Sequence, residues 1–341
     1  MTRVGVIARA EDRGLGILTW EVVRHLHPER VAVVDMGELG RGFPQHFDRY
    51  PGAEVWPWRD GALPERQVRE WLEGLDVVYS AETFYDQRMV GWCNLAGVAT
   101  VLHAMPEFLY PHQPRPTRVW LPTPWRAEVV GPHQLVPVPV PTDRWSMDHG
   151  PCSIDGPLRV LHVAGHKTSA DRNGTSAFLR ALTLTHGHVE ARMVDQDERT
   201  WGKRPLGRFT TLEVQGPTRD YWNTYRGSDL LVMPRRYGGL CLPVQEAAGA
   251  GLAVVMPQVS PNEWYPATLF RANLTGRLDT PGGRLQLGTP NATHIARLLD
   301  TLSRDRDALT RLQETARRWA DDHSWTRLLP FWTAQLEAAA G

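Results

Sequence analysis

The sequence predicts an α/β protein made of two doubly wound units, each a parallel sheet with helices on both faces. Three observations carry this. Short β-branched runs alternate with helical stretches from residue 2 to residue 104, prolines then crowd the chain from 106 to 151, and the alternation restarts at residue 158. A chain of 341 residues has room for two domains at roughly 100–200 residues each.

TRVGVIA at 2–8 opens as a buried strand, and a loop with Gly14 and Gly16 leads into a helical stretch over 17–26. VAVVD at 31–35 is the second strand. LDVVYSA at 75–81 follows the amphipathic stretch 65–72, and VATVLHA at 98–104 follows 86–95. Continuous apolar runs of this length mark strands covered on both faces. Eleven prolines between 106 and 151 then forbid long helices, because proline lacks an N–H and clashes with the preceding turn. VWLPT at 119–123 and LVPVPV at 135–140 read as short edge strands, and 143–156 as a linker. LRVLHVAG at 158–165 starts the second unit. A helix over 175–184 follows, then strands at 188–195, 209–216 and 229–234, a helix from near Pro243, and a strand at 251–257. From Asn291 onward apolar residues recur at helical spacing. The expected domains are 1–145 and 146–324, with a last helix over 325–341 returning to the first. Such units bind ligands at the carboxyl ends of their strands, and two of them facing each other define a central cleft.

Composition narrows the function classes. Apolar residues make up 42% and charged residues 22%, the balance of a folded soluble protein. Lys+Arg and Asp+Glu number 38 each, so the formal net charge is zero. Domains built to hold nucleic-acid backbones carry a basic excess, so DNA is a disfavoured partner. Cys93, Cys152 and Cys241 are odd in number and form no C-x-x-C, which points to a reducing compartment rather than a disulfide framework. No apolar run reaches the roughly 20 residues that span a bilayer, and charges at Arg9, Glu11, Asp12 and Arg13 come too early for a secretory signal. The expectation is a cytoplasmic protein. The histidines are scattered without metal-ligand spacing, so no metal is expected.

Residues 229–257, DLLVMPRRYGGLCLPVQEAAGAGLAVVMP, carry the most chemistry. They read as a strand, a turn with Gly238 and Gly239, and a helix mouth. Amides there lack intrahelical partners and sit at the positive end of the helix dipole, and glycine lets a phosphate approach the backbone. Glu246, in the helix, can accept from two vicinal hydroxyls such as those of a ribose. On this chemistry alone two readings stay open: a nucleoside diphosphate site, or an ordinary strand–helix loop.

The stretch resembles the signature of GT-B glycosyltransferases of the large retaining family 4 type, two Rossmann-like domains facing a cleft. That signature runs aspartate, apolar strand, proline, Glu-Gly, six further residues and Glu-Ala; here Asp229, residues 230–233, Pro234, Gly238-Gly239 and Glu246-Ala247 fit it without gaps. The resemblance implies that Glu246 holds the donor ribose and that the amides of Gly239, Leu240 and Cys241 face the diphosphate. Arg235 is itself a candidate to reach the donor phosphates, the alternative being an exposed loop charge. The family's first glutamate falls on Gly238, a departure beside the donor sugar. HVAGHKTSADRNGTSAFLRAL at 162–182 is similar to the segment whose cations neutralise the leaving diphosphate; the cations on offer are Lys167 and Arg172. His103, ending a strand, matches a histidine that contacts the donor sugar, and Gly16 matches the first strand–helix loop, near the diphosphate or the acceptor. Glu82 and Asp86 are candidates to orient the acceptor hydroxyl.

The resemblance therefore implies sugar transfer from a UDP- or GDP-sugar to an acceptor hydroxyl, with retention. The nucleotide sugar serves as co-substrate and no cofactor is needed. A protein, lipid-linked or small-molecule acceptor fits the neutral charge better than DNA. A nucleotide-sugar epimerase of the same fold and a catalytically silent sugar-nucleotide binding protein are the alternatives.

Overall fold

A computed structural model describes residues 2–37, 44–110, 112–145, 156–165, 170–197, 205–216 and 220–341. The chain divides into two compact units, Met1–Pro139 with Trp325–Gly341, and Val140–Ser324.

The first unit holds seven strands: β1 (Val4–Ala8), β2 (Arg30–Asp35), β3 (Glu54–Pro57), β4 (Val77–Ala81), β5 (Ala99–His103), β6 (Arg118–Leu121) and β7 (Gln134–Leu135). They lie in the order β3-β2-β1-β4-β5-β6-β7, and every pairing is parallel. Helices α1 (Gly14–Leu26), α2 (Glu65–Leu72), α3 (Met89–Leu95), α4 (Ala127–Val130) and α9 (Trp325–Ala340) belong to this unit. The edge strand expected over 135–140 shrinks to Gln134–Leu135, because Pro137 and Pro139 cannot donate to a ladder. On one face, α2 and α3 bury Val68, Trp71, Leu72 and Met89 against Ile7, Val78 and Leu102. On the other, α9 packs on β4, β5 and α1. There Trp332, fully buried, donates from Nε1 to the Pro137 carbonyl at 2.9 Å.

The second unit holds a parallel sheet in the order β10-β9-β8-β11-β12-β13, from β8 (Leu158–Gly165), β9 (Val189–Asp195), β10 (Thr210–Gln215), β11 (Leu230–Val232), β12 (Ala253–Pro257) and β13 (Thr268–Phe270). Its helices are α5 (Thr175–Leu184), α6 (Leu242–Gly249), α7 (Ala292–Leu302) and α8 (Arg306–Asp322). Residues 140–145 pack with this unit: the Val140 amide donates to the His323 carbonyl at 2.8 Å and Trp145 Nε1 to the Trp222 carbonyl at 3.1 Å. A hairpin of β14 (Ala272–Thr280) and β15 (Gly283–Pro290) is an element the sequence reading lacked. Its strands are mostly exposed, so they do not form the apolar runs that betray a core strand. Among the described residues, no helix is long and apolar enough to cross a membrane.

His103 ends β5 on the face under α9, its ring fully buried against Tyr79, Trp120 and Trp332. Burial pushes its pKa from 6.5 down to about 3, only partly offset by the Val136 backbone. The unfolded chain takes up a proton near pH 6.5 that the folded chain refuses. Stability is therefore intact above that pH and lost as pH falls toward 3, by about 1.4 kcal/mol per unit. His103→Asn, which cannot titrate, is expected to flatten this loss between pH 6 and 4 in thermal denaturation; equal slopes for both proteins would contradict the assignment.

Candidate functional site

In the second sheet β8 lies between β9 and β11, so the direction of chain crossover reverses there. Loops leaving β8 and β11 at such a switch point open a crevice at the carboxyl ends of the strands. The loop after β11 runs from Met233 to Cys241 and enters α6 through Pro243, which suits a first turn. The loop after β8 ends at Gly174, whose φ of +70° no ordinary side chain favours, and a Cβ there would lie 2.0 Å from the Pro234 carbonyl oxygen. The two loops are thus locked backbone to backbone. The Arg236 amide adds a bond to the Arg172 carbonyl at 2.8 Å.

The mouth of α5 does not await a ligand. Asp171, itself at φ +47°, accepts from the amides of Thr175 at 2.9 Å and Ser176 at 3.0 Å. Its carboxylate fills the anion position at that helix end. Cations stand instead at the β11 loop. Arg235 is 2% exposed, and Arg172 lies over the Tyr237 ring at 5.3 Å. Arg236 is a tie, donating to the Gly288 carbonyl at 2.8 Å and the Ala170 carbonyl at 2.5 Å. It joins the β15 end to the loop before α5.

Gly238 explains the departure from the glutamate pattern. A Cβ at this position would meet Arg235 Nη2 at 2.2 Å and Arg172 Nη2 at 2.3 Å, so the two nitrogens stand within about 4.5 Å of each other. Two guanidiniums converge where the resemblance places a carboxylate. Like charges this close favour an anion between or beside them, and guanidinium forks suit phosphate oxygens.

Gly239 and Leu240 lie in the turn, but Cys241 is corrected. Its amide donates to Tyr265 Oη at 2.9 Å, and the same hydroxyl donates to the Gly239 carbonyl at 3.2 Å. That N–H is therefore taken by the buried Tyr265. Glu246 lies on α6 and is 1% exposed. Both of its oxygens accept from Tyr221 Oη, at 3.0 and 2.9 Å, and Oε2 also accepts from Tyr225 Oη. Lys167 lies outside the described residues.

In the first unit the equivalent switch falls between β1 and β4. Gly16 sits in the first turn of α1, where a Cβ would lie 2.0 Å from the Glu11 carbonyl oxygen; it serves close packing of loop on helix. Glu82 follows β4 in a left-handed backbone, φ +65°, and its amide donates to the His103 carbonyl at 2.9 Å. Asp86 is corrected from an acceptor group to a loop clamp. It is buried and accepts from the amides of Leu63 and Arg88 at 2.9 and 2.8 Å and from the Arg88 guanidinium at 2.8 Å. Burial pulls its pKa up, but these bonds outweigh burial and hold it below the ordinary carboxylate range. His103, expected at the donor sugar, instead has its ring fully buried in the aromatic cluster under α9. The sequence reading missed the charges that gather at the end of β1. Arg9 pairs with Glu11 at 2.6 Å, and Asp12 pairs with Arg49 at 2.6 Å and His46 at 2.8 Å. Glu11 and Asp12 are buried acids directly after an apolar strand, a sequence signal that could have marked them.

No protein-family model matches the chain, and no curated protein sequence matches it. Solved structures do. HepE of Anabaena, solved with UDP-glucose, has a TM-score of 0.70 and 12% identity, covering 99% of this chain and 100% of that one. A glycosyltransferase of Rickettsia africae has a TM-score of 0.69 and 12% identity, over 99% and 98%. Sucrose-phosphate synthase of Thermosynechococcus elongatus has a TM-score of 0.63 and 13% identity, over 99% and 100%. The chain has the GT-B fold. The likeness is one of architecture, two Rossmann-like domains.

Gly238→Ala tests the convergence at the turn. The arginine tips can shift, but φ +118° strains any side chain, at about 1–3 kcal/mol. Denaturation is expected to show that loss in the second unit; an unchanged midpoint would contradict it.

Proposed function

We propose that the chain is a nucleotide-sugar-dependent glycosyltransferase that holds its donor on the second unit. The observation that carries this reading is the convergence of Arg172 and Arg235 on Gly238, at the switch point of a GT-B domain. A pyrophosphate fits that arrangement: two forked cations converge beside the Gly238-Gly239 turn, and guanidinium forks suit phosphate oxygens. A UDP-sugar is the donor we favour, since HepE, the same fold throughout, was solved with UDP and with UDP-glucose.

Cleavage of the sugar–phosphate bond concentrates negative charge on the departing β-phosphate. Arg172 and Arg235 would stabilise that charge more than the ground state, which is the requirement for catalysis. The resemblance to the family 4 type supports retention, with the leaving phosphate accepting the acceptor's proton. Of the acceptor candidates, Glu82 remains; the acceptor is assigned to the first unit and a non-nucleic acceptor is favoured. A cytoplasmic setting belongs to the same proposal.

Binding to the folded state raises its stability by mass action, about 2.7 kcal/mol at a hundredfold excess over Kd. UDP or GDP is expected to raise the thermal midpoint, and Arg172→Ala to weaken that nucleotide at least tenfold, the effect of one bond to a charged group. Absence of any shift with nucleoside diphosphates or their sugars would sink the donor assignment.

A further inference from the structure

Glu246 is placed to grip a pair of hydroxyls, yet it is 1% exposed and already engaged. Its two partners differ. Tyr225 is itself 1% exposed and belongs to the core, where its ring meets Trp145 edge-on. Tyr221 is half-buried at the surface end of the turn Tyr221–Tyr225. Its single hydroxyl reaches both carboxylate oxygens, at 3.0 and 2.9 Å. That is the bridging position two vicinal hydroxyls would take on a carboxylate.

We propose that Tyr221 is the specificity-determining stand-in for the donor's pentose: its hydroxyl holds Glu246 until the vicinal hydroxyls of a ribonucleoside diphosphate displace it. The inference rests on the donor reading above and deepens it. Tyr225 keeps its bond throughout and anchors the carboxylate. The exchange replaces one neutral donor by two, so a ribose gains what a pentose lacking both hydroxyls cannot. The site therefore selects ribonucleotide over deoxyribonucleotide donors, and its apparent affinity is lowered by the Tyr221 bond that must first break.

Tyr221→Phe keeps the ring, and with it the edge-on contact to Trp222, and removes only the competing hydroxyl. Calorimetric titration of the full chain with UDP and with 2′,3′-dideoxy-UDP, wild type against Tyr221→Phe, tests the exchange; GDP and its dideoxy analogue replace them if GDP is the nucleotide bound. The ribonucleotide is expected to bind the variant about tenfold tighter, the effect of one hydrogen bond to a charged group, with the dideoxy analogue unchanged. Equal or weaker ribonucleotide binding by the variant overturns the proposal while leaving the donor reading intact. An equal gain for both ligands also overturns it, since the hydroxyls would then play no part. If neither protein binds UDP or GDP, the donor reading fails and this inference falls with it.

Discussion

Every pairing in the two main sheets is parallel, and the site depends on that constraint. Parallel neighbours require crossovers, the crossovers place helices on both faces, and the central strands become largely apolar. Much of the charged chemistry then gathers at the strand ends. In the second unit the carboxyl ends of β8 and β11 release the loops that bring Arg172, Arg235 and Gly238 together. In the first, the ends of β1 and β4 collect Arg9, Glu11, Asp12 and Glu82.

The charges at these ends are held in place by pairing. Asp171 closes the α5 mouth with its own carboxylate. Asp86 is locked by Arg88 and two amides. Glu246 is satisfied by two phenols. A buried charge without partners is expensive, so such groups are engaged even with no ligand present. Under the donor proposal, a ligand at Glu246 would have to compete with an internal partner. At Gly238 two cations, Arg172 and Arg235, converge instead, and like charges that close favour an anion beside them.

Much of this was legible from one chain. The β-branched runs marked β1, β2, β4, β5, β8, β9, β11 and β12, because strands covered on both faces must be continuously apolar. The exposed β14–β15 hairpin obeys no such requirement and went unread. Proline density located the break between alternations but overstated β7, since Pro137 and Pro139 interrupt the ladder. Gly238 was read as a missing carboxylate, but arginines from two loops fill its place. In sequence a strand end looks the same whether its last side chain faces a crevice or, as with His103, Trp120 and Trp332.

Residue order alone settled the doubly wound architecture, the turn at Gly238-Gly239 and the helix carrying Glu246, because each follows from local periodicity and turn chemistry. Only the tertiary structure decided which polar groups those elements leave available. That depends on partners far apart in sequence: Tyr221 on Glu246, Tyr265 on the Cys241 amide, Leu63 on Asp86. Hydrogen bonds reach about 3 Å regardless of chain separation, and no local pattern encodes which distant donor will arrive first.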